Sequence, residues 1–175
     1  MALDAEEMQL LRISKASQRL LTSFRDGVYI TTTTSRTLDD LRDQACADRL
    51  DLAVAFASVG DRLMRARPRE YRSAVSRYYY SMYHSIRATV FYANDGDDHQ
   101  KHDVLPKHTP LDFPDNALWE NRLKDARGHR NDADYDPYPI NPQSFTQPAR
   151  DLRDYAHALT PLVRAYLRSK GCGHI

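Results

Sequence analysis

Arg127, Arg130, Asn131 and Asp134 fall close together in the segment Ala126-Arg-Gly-His-Arg-Asn-Asp-Ala-Asp-Tyr135. On a helix, at about 100° per residue, they sit at roughly 0°, −60°, 40° and −20°, on one side of the cylinder. Two guanidinium forks beside a carboxylate and an amide either hold a phosphate group or close a buried polar lock. Asp136 precedes Pro137, whose ring disfavours helical dihedrals at the residue before it, so the helix is expected to end near Tyr135. The cluster then lies at a helix carboxyl end, running into a loop that carries Tyr138. For Arg130 with Asp134, the plainer reading is an i,i+4 ion pair of ~0.3–0.5 kcal/mol. Both readings stay open on spacing alone.

Other chemistry-bearing residues are weaker signals. His99 and His102 have a spacing that suits zinc, but no second ligand pair follows at a defined distance, so Asp97–Asp103 reads as a solvated loop and no metal or cofactor is expected. Tyr78, Tyr79, Tyr80 and Tyr83 read as packing rather than base stacking. His84 reads as a satisfied core histidine, with a place beside Arg130 as the alternative. Arg62, Arg65, Arg67, Arg69, Arg72 and Arg77 crowd one helix junction. They form either a solvated corner next to Asp61 and Glu70 or a surface for phosphate backbone.

The elements that must position these groups all show helical periodicity. Residues 4–24 form a mixed peripheral helix, and the β-branched run Thr31–Thr34 after Gly27 predicts a linker or short extended piece. Thr37 with Asp40 resembles a helix entry. Leu38, Leu41, Ala45, Leu52, Ala55, Phe56, Val59 and Leu63 then trace an amphipathic helix to about Arg67. Pro68 is placed in the first turn of the next helix, to Ala93. This is the most apolar segment, with Val75, Tyr78, Tyr79, Met82, Ile86, Val90 and Phe91 on a broad face. A third helix, about 116–134, offers Leu118, Trp119, Leu123 and Ala126 to the core. A fourth, about 144–170, offers Phe145, Leu152, Tyr155, Leu159, Leu162, Val163 and Tyr166. The expectation is an all-α, up-and-down four-helix bundle over residues 37–170, with a helical extension over 1–36 and a frayed tail over 171–175.

The 175 residues suffice for one domain with a full core. A net charge of +1 gives no global pull toward nucleic acid or membrane. Cys46 and Cys172 make no disulfide framework, and no apolar run approaches a membrane span. A cytoplasmic location and no membrane partner are expected.

Three segments in order carry a family resemblance: Ser76-Arg-Tyr-Tyr-Tyr-Ser-Met-Tyr-His-Ser-Ile-Arg-Ala88, Lys101-His102, and Arg130-Asn-Asp-Ala-Asp-Tyr135. Together they resemble the HEPN domains, especially the small stand-alone prokaryotic branch, over about residues 38–170. The resemblance implies a homodimer whose third-helix motifs meet in a cleft. It also implies metal-independent endoribonuclease chemistry on RNA or a nucleotide, within a toxin–antitoxin or defence system, sometimes with a nucleotidyltransferase antitoxin. Carried over, Arg130 holds phosphate, Asn131 and Asp134 orient it, and His102 supports the cleft; Arg127 and Tyr138 are expected beside them as substrate-binding residues. The family signature is an Arg, four to six intervening residues, and then a His. Here Tyr135 stands at that distance and becomes the hydrogen-bond or proton donor. A second expectation is a non-catalytic adaptor that binds a partner protein such as a nucleotidyltransferase through the same surface.

Overall fold

A computed structural model describes residues 4–175, and every regular element among them is helical. They are α1 (Ala5–Ser14), α2 (Gln18–Thr34), α3 (Leu38–Arg65), α4 (Tyr71–Ala93), α5 (Asn116–Tyr135) and α6 (Thr146–Ser169). Short 3₁₀ turns cover Leu105–His108 and Pro142–Phe145. The chain forms two compact units, one reaching Leu41 and one from Arg42 to Ile175.

In the first unit, α1 starts on a capping box in which Asp4 and Glu7 bond each other's backbone N–H. The break falls at residues 15–17, where the Ser17 hydroxyl caps α2. The expected linker at Thr31–Thr34 is instead the last turn of α2. The hydroxyls of Thr31, Thr33 and Thr34 donate back to carbonyls three and four residues earlier, including Thr34 to Ile30 at 2.7 Å. Threonine satisfies its hydroxyl inside a helix this way, so β-branching alone does not end one. Ser35, in the left-handed region at φ 53°, does. Neither helix buries a residue.

The second unit is an antiparallel up-and-down bundle of α3 to α6. Cys46 of α3 lies against Ala88 of α4, and Gly60 against Tyr78. Asp134 of α5 meets Ser76 of α4, and Arg153 of α6 meets Asp61 of α3. Helix α4 is central, burying residues on all sides: Val75, Tyr78, Tyr79, Met82, Ile86 and Val90 are essentially inaccessible. A helix apolar around most of its circumference has to be enclosed by its neighbours. It starts at Tyr71 with Glu70 as N-cap, so Pro68 precedes it rather than occupying its first turn.

The buried face of α3 differs from the expected one. Cys46, Leu50, Ala53, Ala57 and Gly60 face inward, whereas Leu38 and Leu52 are exposed. At Gly60 the lack of a side chain gives the Tyr78 ring of α4 its space. A Cβ on Gly60 would come within 2.6 Å of the Tyr78 ring. On α5, Trp119, Leu123 and Ala126 are buried as expected, but Leu118 is exposed.

Two connections are tied down. Asp98, 5% exposed in the loop expected to be solvated, pairs with Arg49 at 2.7 Å and accepts from Arg87 Nε at 3.1 Å. Residues 171–175, expected to fray, fold back onto α3: Gly173 N–H donates to Asp43 at 2.8 Å, and Cys172 is buried beside it. Burial pushes the Cys46 thiol up to about 12, with Cys172 and Asp43 adding, so it stays a protonated packing group.

The glycines yield a paired prediction. Gly60→Ala should lose about 1–3 kcal/mol in urea denaturation through overpacking on Tyr78. Gly128→Ala in α5 meets nothing within 4 Å and should gain about 0.5–1 kcal/mol.

Candidate functional site

Helix α5 ends where Pro137 dictates, and Arg72 of α4 fastens that end. Its guanidinium donates to the carbonyls of Ala133 at 2.7 Å, Asp132 at 3.1 Å and Asp136. A helix carboxyl terminus leaves carbonyls unpaired and carries partial negative charge, and one cation answers both.

This anchoring sets Arg130 against α4. Its Nη2 donates to the Tyr80 hydroxyl at 2.6 Å and its Nη1 to Asn131 Oδ1 at 3.1 Å. Nε lies 2.8 Å from Asp134 Oδ2, close enough to pair as ions but not aligned as a hydrogen bond. Asp134 also accepts from Ser76 of α4, so the i,i+4 pair is stitched across two helices instead of merely trimming one. The guanidinium carbon sits 4.8 Å from the Tyr135 ring centre and 5.4 Å from that of Tyr80. Burial works against its charge, but the Tyr80 hydrogen bond, with Asp134 and Tyr135, more than offsets this and raises its proton affinity. The Arg130 side chain is only 12% exposed.

His102 joins the same cluster from the α4–α5 connection. Its Nδ1 is 2.5 Å from the Tyr79 hydroxyl, and its ring stacks on Tyr83 at 4.3 Å. Burial, then the charges of Arg130 and Arg127, push its pKa below the ordinary histidine value, so the ring is neutral at pH 7. Arg127 is half-buried and acts on this ring through charge. Tyr135 is 68% exposed with its ring beside Arg130, while Tyr138 is 70% exposed with no hydrogen bond into the cluster. The structure thus brings together Arg127, Arg130, Asn131, Asp134, Tyr135 and His102, and leaves Tyr138 apart.

Sequence reasoning read Tyr80 as packing and Arg72 as part of an arginine corner, and did not join them or Ser76 to the α5 tip that they hold. The usable signal was a buried serine and a tyrosine four residues apart, on the side of the most apolar helix that α5 covers. His84 also differs from expectation. It stacks on Phe56, but its buried Nδ1 has no partner. Among the described residues no group of three or more His, Cys, Asp or Glu is placed to hold a metal, and no helix is long and apolar enough to cross a membrane. Comparison with family models, with curated proteins and with solved structures finds no match.

Two measurements probe this region. Burial, then the charges of Arg87, Arg49 and His102, lower the His84 pKa from 6.5 to about 4. The unfolded chain therefore binds more protons than the folded one between those values, and stability should rise with pH across pH 4 to 6.5. His84→Gln should flatten that slope in denaturation titrations, leaving the smaller part due to His102. Arg72→Ala should cost about 1.5–3 kcal/mol, the worth of charge-assisted hydrogen bonds. Amide exchange should quicken first in the last turn of α5.

Proposed function

We propose that this chain is an HEPN-like, homodimeric protein directed at RNA, acting within a toxin–antitoxin or defence system, with the Arg130 tip and His102 forming one RNA-contacting face. The carrying observation is the arginine–tyrosine–histidine cluster itself. The histidine absent after Arg130 in sequence is supplied in space by His102, through Tyr79 and Tyr80. In the tautomer whose Nδ1–H donates to the Tyr79 hydroxyl, the neutral imidazole has Nε2 left to take a proton from a ribose 2′-hydroxyl. Arg130 retains guanidinium protons beyond those given to Tyr80 and Asn131, and with Arg127 and a partner copy's equivalent these supply the phosphate clamp. Asn131 and Asp134 fix its orientation, and Tyr135 donates a hydrogen bond or proton from the exposed rim.

One observation favours a second reading. All three Arg130 nitrogens already face intramolecular partners and the side chain is mostly enclosed. In that reading the cluster is a lock, and the protein is a non-catalytic adaptor for a partner such as a nucleotidyltransferase. Tyr135 and Tyr138, both largely exposed, are then accessible targets for nucleotide transfer.

Labelled RNA incubated with pure protein in chelator separates the two. The RNA-directed reading expects cleavage with cyclic-phosphate ends, reduced at least ~100-fold in His102→Ala and in Arg130→Ala, and less in Tyr135→Phe. Absence of cleavage by the wild type, with its oligomeric state unchanged in Arg130→Ala by sedimentation, leaves the adaptor. Mass spectrometry after co-expression with a nucleotidyltransferase then reads whether a nucleotide is added.

A further inference from the structure

We propose that the cleft between the carboxyl end of α3, the start of α4 and the first half of α6 binds a phosphate group. The cleft encloses about 360 Å³, within the roughly 300–1,000 Å³ of small-ligand sites. Arg65, Arg69, Arg150 and Arg153 line it against Asp61 and Asp154, four cations to two anions. One of those anions is already committed. Asp61 Oδ1 accepts from the Tyr78 hydroxyl at 2.8 Å, lies 3.1 Å from His157 Nε2 and accepts from Arg153 at 3.3 Å.

The remaining arginines have no carboxylate answer. Arg69 donates to the Tyr71 hydroxyl at 3.1 Å, a neutral acceptor. Its hydrogen bond, with the charges of Arg69 and Arg150, lowers the Tyr71 pKa. Arg65 and Arg150 form no ion pair among the described residues. Helix α4 also begins in this wall, and no side chain caps its first turn, which adds the positive end of the helix dipole. Concentrating like charge around a concave surface raises the local potential for anions. Phosphate, with several oxygens set around a tetrahedral centre, matches guanidinium forks bidentately.

The cleft is a separate site from the Arg130 cluster. Tyr80, which holds Arg130, comes nine residues after Tyr71, about half a turn around α4 at ~100° per residue. The inference therefore stands independently of the RNA-directed reading. The phosphate can belong to a nucleic-acid backbone or to a free nucleotide, and the test distinguishes the two.

Calorimetry with inorganic pyrophosphate, and fluorescence anisotropy with a short labelled single-stranded RNA, are run on the wild type and three variants. These are the double variant Arg69→Ala with Arg150→Ala, Asp154→Asn, and Arg130→Ala. Arg69, Arg150 and Asp154 are exposed, so unchanged thermal melts should accompany their substitution. Pyrophosphate binding should weaken at least ~10-fold in the double variant, strengthen in Asp154→Asn and stay as in the wild type in Arg130→Ala. A parallel loss for the RNA assigns the group to a nucleic-acid backbone. RNA binding unmoved while pyrophosphate binding falls assigns it to a free nucleotide. No heat with millimolar pyrophosphate, or binding indifferent to the double variant, overturns the proposal.

Discussion

The contact between the Tyr78 ring and the bare backbone at Gly60 is the constraint on which the bundle depends. Only a residue without a Cβ lets a fully buried tyrosine lie this close to α3. The Tyr78 hydroxyl then reaches Asp61, one residue further on, so the packing contact and the hydrogen bond fix the same register. Burial and that hydrogen bond both hold the phenol firmly protonated. From this seat, α4 presents Ser76 and Tyr80 toward α5 and Ser85 toward Thr160 of α6.

The polar groups inside the second unit follow a common rule. Helix α4 itself carries Arg72, Arg77 and Arg87 and no carboxylate, and the carboxylates that face it each serve more than one donor. Asp98 answers Arg49 and Arg87, Asp61 answers Tyr78 and Arg153, and Asp134 answers Arg130 and Ser76. Surplus guanidinium charge is spread over aromatic faces, as with Arg77 over Phe56 and Tyr80, and Arg122 over Trp119 and Tyr155. Burial first, and the neighbouring arginine charges second, hold His84 and His102 in the neutral form.

Much of the bundle was legible from periodicity. The spans of α3 to α6 emerge from the apolar spacing, and the end of α5 from the residue before Pro137. The inward face of α3 was not legible, because hydrophobicity favours Leu52 over Gly60 and Ala57, while volume matching against tyrosines decides the outcome. The Thr31–Thr34 run misled because propensity says nothing of hydroxyls that find carbonyls within the same turn. At the candidate site, one helix side gathered Arg127, Arg130, Asn131 and Asp134 correctly. What spacing cannot supply is the facing helix, so the bonds from Arg130 to Tyr80 and from Ser76 to Asp134 had no signature within α5 itself.

The jammed seat of Tyr78 also determines which part of the molecule can yield. A rotation of α4 that carries the Tyr78 ring toward α3 is blocked at Gly60, where even a Cβ would lie 2.6 Å from that ring. On the α5 side of the Arg130 contact, the final turn is held by the Arg72 fork and by the Ser76–Asp134 hydrogen bond, and is followed by exposed, proline-rich chain. The bundle thus sets a tightly packed α4 against an α5 tip whose far side opens onto exposed chain.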